Sequence, residues 1–470
     1  MKLINISKIV LCSALVLGLN SACNKKLDQE PKQSIDAPTA IQNATDLEAL
    51  IVGAYSVMGG GALYGTNLLM VPETQASWYP DATEQYASWR GTFTGHQQIA
   101  RKTMNRNNGE AARMWTAGYL AINTANIALS KLDVVTDPDL KTQFEGEALF
   151  IRGIMHFELV RLFGLPWDPA TTNNQLGVVI KTTPALTEAE AAVKDARSTV
   201  AEVYAQVISD LLAASQKLGD DNGTRADKYT ALAFLAKVYL QQSNFAAARD
   251  AANEVIESGK YEMSASVRSA FDNKNTSESV FEIQQNDQNN AGTANDGMAT
   301  FFASLPGVGR ADVRIAQNFV FSYNAADRRR FEWYYQGTGA RPGNWYNSKW
   351  KTFSQNLPII RIAEMYLIRA ETNIRIGSSL GATPAEDLAQ VRNPIRVGLA
   401  EIAAPTLNDV LAERSFELAF EGFKIHEIKR LKQSFSVSGN WQYNSPKLVF
   451  PIPQIEIDAT EGALIQNPGY

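Results

Sequence analysis

The chain has 470 residues, of which 45% are hydrophobic and 9% aromatic, with 44 Lys plus Arg against 49 Asp plus Glu and a net charge of −5. That is ample apolar material for a large core, which excludes disorder as the main state, and the lack of a cationic surplus argues against nucleic acid as a partner. The three histidines, His96, His156 and His426, are far apart in sequence, and the two cysteines, Cys12 and Cys23, both lie near the N-terminus. The sequence therefore presents no Cys/His zinc site and no thiol nucleophile deep in the fold, and no cofactor or metal is expected.

At the start of the chain, Lys2 and Lys8 precede and flank an apolar run, Ile9 to Leu19. The run has the length of a secretory h-region and is too short to span a bilayer. Small residues, Ser21 and Ala22, then lead into Cys23. This pattern resembles the lipobox of bacterial lipoproteins, with Asn20 at the usual leucine position and Leu19 one place further back. It predicts residues 1–22 as a signal peptide and Cys23 as the lipid anchor, because several acyl chains hold a protein stably at a membrane. The polar stretch Asn24 to Lys32 reads as a tether between lipid and folded body.

Helical spacing of apolar residues then runs from Thr45 to Met58 and stops at Gly59-Gly60-Gly61. Further helices are predicted at about 110–132, 140–163 and 199–218, punctuated by Pro138 and by Gly164-Leu165-Pro166. The segment Tyr229 to Gly259 fits the tetratricopeptide pattern. Leu232, Leu235, Ala236 and Tyr239 fill first-helix positions; after Gln242-Ser243-Asn244, Phe245, Ala248, Ala252 and Val255 fill the second. Small residues at Ala236, Ala248 and Ala252 let the two helices approach closely. A weaker second unit starts at Ile360 and pairs with Ala385 to Val391. One such pair cannot bury its own face, so several divergent pairs must stack. Two stretches, 71–95 and 286–351, combine Gly, Pro, Asn, Ser and aromatics without a helical period and read as long irregular loops.

The order of motifs resembles that of the SusD/RagB family of outer-membrane nutrient-binding lipoproteins of the Bacteroidetes. The carriers are Cys23; the Gly146 to Pro166 run with Glu147-Ala148-Leu149-Phe150-Ile151-Arg152-Gly153 and the Gly164-Leu165-Pro166 turn; the pair at 229–259; and Leu357 to Glu371. Glu413 to Gly422 and the closing Phe450-Pro451-Ile452-Pro453 with Asn467-Pro468-Gly469-Tyr470 complete the set. The resemblance covers essentially the whole chain. Arg396-Val397-Gly398-Leu399 stands where members often have Arg-Ala-Gly-Leu.

The resemblance implies a mostly α fold, an α-superhelix with tetratricopeptide-like helix pairs plus long irregular ligand-binding loops. It implies an N-terminal SusD-like region at 23–217 and a C-terminal SusD/RagB region at 218–470 within one compact unit. The implied protein is not an enzyme. It is lipid-anchored at the cell surface of the outer membrane, binds an oligosaccharide nutrient and delivers it to a SusC-like TonB-dependent transporter. Peptide is the alternative cargo, and a tetratricopeptide-like protein-protein scaffold is the alternative class.

The helix charges Arg361, Glu364, Arg369, Glu371, Glu413, Arg414, Glu417 and Glu421 are read as structural ion pairs, since their three- and four-residue spacings are those of helix-face partners. Arg328-Arg329-Arg330 reads as a solvated turn. No nucleophile elbow, phosphate-cradling loop or His-Glu-x-x-His is present. The loop aromatics carry the binding expectation, because sugar rings pack C–H faces on indole and phenol faces. Trp78, Tyr79, Trp89 and Arg90 of the first loop are expected to face Phe302, Trp333 and Trp345 of the second across one shallow, solvent-accessible groove.

Overall fold

Most of the principal helices begin where the sequence supplies an acceptor for their orphan N–H groups. The computed structural model describes residues 40–77, 86–272, 274–436 and 439–470, so the expectations for residues 1–22, Cys23, Trp78 and Tyr79 lie outside the described residues. Residues 43–470 form one contact unit.

Asn43 caps the first long helix, α1 (Ala44–Met58), its side chain accepting from Asp46 N at 3.0 Å, two residues earlier than the sequence suggested. Next come α2 (Asn67–Gln75), a short strand β1 (Ala87–Trp89) and α3 (Thr94–Arg101). The expectation of an irregular loop from Val71 fails at its start: Val71 to Gln75 are helical and buried, with Pro72 inside the helix. Asn108 then caps α4 (Gly109–Ser130), and Asp137 with Pro138 at the first position starts α5 (Pro138–Phe163). A Thr199/Glu202 capping box starts α6 (Val200–Lys217).

The tetratricopeptide-like pair follows as α7 (Lys228–Gln241), capped by Asp227, and α8 (Phe245–Glu257), capped by Asn244. Strand β2 (Ser279–Ile283), α9 (Met298–Phe302), β3 (Val313–Ile315) and α10 (Gln317–Ser322) come next, then β4 (Tyr334–Gln336), β5 (Trp345–Asn347) and β6 (Leu357–Arg361). The second pair is α11 (Ile362–Ile376) with α12 (Pro384–Val391), followed by α13 (Leu407–Glu417) and α14 (Lys424–Arg430).

The helices stack in sequence: α1 on α4, α4 on α5, α5 on α6, α6 on α7, α7 on α8, α8 on α11, and α11 on α12 and α13. Close approach depends on missing side chains. A Cβ on Gly118 of α4 would lie 3.0 Å from Leu159 of α5, and one on Gly153 of α5 would lie 3.1 Å from Asp210 of α6. In the second pair Ala363, Leu367 and Ala370 meet Leu388, Val391 and Val410, closed off by Leu418 and Phe423. The fold is therefore mostly α, with helix pairs as expected, and among the described residues the irregular segments are organised on three small sheets.

The helix charges form buried networks. Glu417 accepts from Arg361 Nη1 at 2.9 Å, from both Nη atoms of Arg396 at 3.0 and 2.6 Å, and from Arg329 Nη1 at 2.9 Å. Arg361 also holds Glu421 through Nε at 2.9 Å and Nη2 at 2.8 Å, and contacts Glu278. Lys349 Nζ donates to Glu421 at 2.6 Å. The reading of the arginine run as a solvated turn fails for Arg329. Its side chain is fully buried between Asp327, Glu413 and Glu417, because the turn at 327–330 folds back onto α13.

Candidate ligand-binding surface

The described parts of the two aromatic stretches meet through a sheet with strand order β1-β3-β5-β4, all neighbours antiparallel. Trp89 pairs with Val313, Ile315 pairs with both Ala87 and Trp345, and Trp345 pairs with Gln336. Opposed residues share a face, so the register fixes which rings turn inward.

Trp89, Phe302 and Trp333 are on the inside, and the expectation that they line a solvent-accessible groove is not met. Trp89 is fully buried beside His96 and Phe301, with ring centroids at 4.8 and 5.7 Å. Phe302 is equally buried and meets Phe420 edge-on at 6.0 Å. The Trp333 indole donates to Val267 O at 2.8 Å, and Lys349 Nζ sits 3.8 Å from its ring. The physical reason is that helical neighbours cover the inner face of the sheet, so its aromatics became a small core of their own. Arg90 is half-buried, with its backbone N–H donating to Asp312 O at 2.6 Å.

Trp345 is the described ring of the expected set that reaches solvent, being half-buried at the edge of β5. Its ring meets Phe321 at 5.7 Å and 74°. Phe321 is 45% exposed and Phe331 is 65% exposed. The Arg330 guanidinium bridges the two, 4.5 Å from the Phe321 ring and 5.5 Å from the Phe331 ring. Two solvent-reaching phenylalanines flank one cation and Trp345 packs on one of them, an apolar patch with a polar group, the chemistry that stacks a sugar face while hydrogen-bonding its hydroxyls. Sequence reasoning missed Phe321 and Arg330. Phe321 lies on α10, where the buried Phe319 and Val320 precede it, and the uniformly apolar run gives no signal of which side chain faces out.

The opposite face of the sheet carries Arg314, Tyr335 and Tyr346. Tyr335 OH accepts from Ser304 N at 2.8 Å, and Tyr346 OH donates to Arg341 O at 3.1 Å, so both phenols tie down neighbouring loops. Arg341 is exposed, its Nη2 3.7 Å from the buried Asp312. Burial raises the Asp312 carboxyl, and Arg310 and Arg341 pull it back down.

A roomier concavity lies elsewhere, between the C-terminal end of α1 and β2. A cavity of about 550 Å³ is lined by Tyr55, Gly59, Arg225, Gln284, Gln285 and Asn289 among others. It shares Thr224, Arg225, Phe281, Glu282 and Gln284 with a neighbouring cavity of about 250 Å³ that extends to Lys260 and Tyr261. This groove is amide-rich and offers hydrogen bonds, with its Phe281 ring buried beneath. Among the described residues no cluster of three His, Cys, Asp or Glu could hold a metal ion, and no helix is long and apolar enough to cross a membrane.

Comparison with known proteins places these features in context. A SusD-like family described as starch-binding and associating with the outer membrane matches residues 25–240, and the SusD family, SusD/RagB, matches residues 332–470. SusD-like protein P2 of Formosa agariphila is 26% identical over 97% of this chain and 98% of its own length. A SusD superfamily protein of Bacteroides thetaiotaomicron superposes with a TM-score of 0.81 at 24% identity, covering 91% of this chain and all of that one. A laminarin-binding SusD-like protein superposes with a TM-score of 0.72 at 21% identity, covering 92% of this chain and all of that one. With two family matches that together span most of its length, and a relative alignable from end to end, the chain belongs to the SusD/RagB family.

Proposed function

We propose that this protein is a non-catalytic, lipid-anchored receptor that captures an oligosaccharide at the cell surface and hands it to a TonB-dependent outer-membrane transporter. The observation that carries the binding part is the solvent-reaching cluster in which Arg330 lies between Phe321 and Phe331 and Trp345 packs on Phe321. A monomer seldom leaves several large rings together in water unless a partner covers them. Support for a sugar as that partner comes from the family description, starch-binding, and from the laminarin-binding relative.

Calorimetric titration of the full chain with a panel of β- and α-glucan oligosaccharides, and with a peptide mixture, tests the cargo. Saturable heat with a glucan that vanishes in Phe331→Ala supports the assignment; heat from peptides alone transfers the surface to peptide capture. Anchoring is tested separately by membrane fractionation of Cys23→Ala. Release of that variant into the soluble fraction is expected, and firm retention rejects lipidation at Cys23. Co-purification of a β-barrel transporter supports delivery, whereas recovery of soluble proteins alone favours a scaffold.

A further inference from the structure

A small, strongly cationic cavity lies where the C-terminal end of α5 meets α14, well away from the aromatic sheet. It has a volume of about 20 Å³ and is lined by Arg161, Trp167, Tyr204, Gln241, His426 and Lys429, with Arg430 at its edge. Among the described residues no carboxylate lines it.

Several of the lining donors have no protein acceptor. Arg161 Nε and Trp167 Nε1 are buried donors without a hydrogen-bond partner, and His426 Nε2 is likewise unpartnered, a donor in its Nε2–H tautomer. Arg161, His426 and Lys429 are each more than nine-tenths buried. Lys429 Nζ has only a long contact of 3.4 Å to Arg161 O. Leaving a buried donor unmet costs about 1–3 kcal/mol, and more when it is charged.

The charges around the cavity do not balance either. Arg161 is neutralised by Glu158, which also accepts from Tyr64 OH at 2.9 Å. Arg430 is held by Glu371 at 2.6 and 3.0 Å and by Glu427 at 2.6 Å. Lys237, from α7, is 3.8 Å from Glu364. Among the described residues Lys429 is left without a carboxylate partner. One negative charge at the cavity balances it, and a cavity of this size holds one particle of about the size of a water molecule. A water offers only two lone pairs and no charge, so it cannot satisfy the unmet donors and the ammonium together.

We infer that this cavity is a structural anion site for one monovalent, halide-sized inorganic anion, held by Arg161 Nε, Trp167 Nε1, His426 Nε2 and the Lys429 ammonium. It ties the end of α5 and the turn after it to α14. Without such an anion, burial and the neighbouring Arg161 push the Lys429 ammonium down to about 7, and burial with Arg161, Lys429 and Lys237 holds His426 well below its ordinary value. Both shifts come first from burial, and the neighbouring cations add to it.

The test uses bromide as probe. Crystals of the full chain grown with gluconate and soaked in sodium bromide are expected to show an anomalous peak in this cavity beside Lys429. In solution, exchanging gluconate for bromide at fixed ionic strength is expected to raise Tm by about 3 °C when bromide exceeds its dissociation constant about a hundredfold. Lys429→Met is expected to lose both the peak and the shift. A soaked wild-type crystal with only water-like density in the cavity overturns the inference whatever the variant does. So does a wild-type protein whose Tm is the same in bromide and gluconate.

Discussion

Replacing Glu417 with Gln tests whether the buried charge network stabilises the fold. The carboxylate is fully buried, and three guanidiniums, those of Arg396, Arg361 and Arg329, converge on it at 2.6–3.0 Å. Burial alone raises such a group, but the three arginines overcome it and hold Glu417 well below the ordinary carboxylate range. Glutamine keeps the volume, removes the charge and turns an N–H donor toward cations that already donate. Removing one partner of a buried ion pair costs about 3–5 kcal/mol. A folded unit of about 430 residues unfolds with an entropy of roughly 0.9 kcal/mol/K, so the same loss lowers Tm by about 3–6 °C. Scanning calorimetry and urea unfolding of Glu417→Gln beside the exposed control Glu401→Gln provide the measurement. If the two variants melt within about 1 °C of each other, the contacts around Glu417 are worth no more than surface pairs and the argument fails.

Three further outcomes are expected. Burial lowers Lys102 to about 7, below its unfolded value of about 10.4, so the unfolded chain binds the extra proton and stability rises with pH between those values. Relative to Lys102→Met, the wild type should therefore gain roughly 2 kcal/mol between pH 7 and pH 9, read by urea unfolding at each pH. Trp345→Ala should weaken oligosaccharide binding about tenfold or more with little change in Tm, whereas Trp333→Ala should cost about 3–5 kcal/mol of stability; equal melting losses would place Trp345 in the core. Gly381 has φ +77°, and a Cβ there would fall 1.8 Å from Asn253 Oδ1, the atom that accepts from Arg369 Nη1 at 2.7 Å. Gly381→Ala should thus unseat that contact at a cost of about 1–3 kcal/mol, and an unchanged urea midpoint would contradict this.

Local signals explain what the sequence made legible. The 229–259 pair appears at its expected residues because its caps, Asp227 and Asn244, and its small-residue seam are all within reach of one another in the chain. That Glu413, Glu417 and Glu421 are ion-paired was expected, but helical spacing pointed to partners on the same helix, whereas Arg329, Arg361, Arg396 and Lys349 reach them from distant segments. The fate of the loop aromatics was not visible, because it is decided by partners distant in sequence. Trp89 is buried by Phe301, and Trp333 by Val267 and Lys349. Composition reveals that such rings need cover, and only the strand register reveals whether protein or ligand supplies it. Arg329 illustrates the same limit: its neighbours Arg328 and Arg330 face solvent at least in part, while its own partners are on α13.

The fastening of the C-terminal segment to α5 bears on the order in which the chain can fold. Phe450 N donates to Leu162 O, the Asn467 side-chain amide reaches both Phe163 O and Phe450 O, and Arg197 binds Asn467 Oδ1 at 2.8 Å. Near the start of the described chain, Glu73 accepts from Gly422 N and Phe423 N at 2.8 and 2.7 Å, at the entrance to α14. Helix pairs built from neighbouring residues can assemble as they emerge, but these clasps join residues separated by hundreds of positions and close slowly. Until they close, the ends of α2 and α5 expose unmet polar groups and apolar surface. These long-range clasps are therefore expected to close after the local helix pairs have formed.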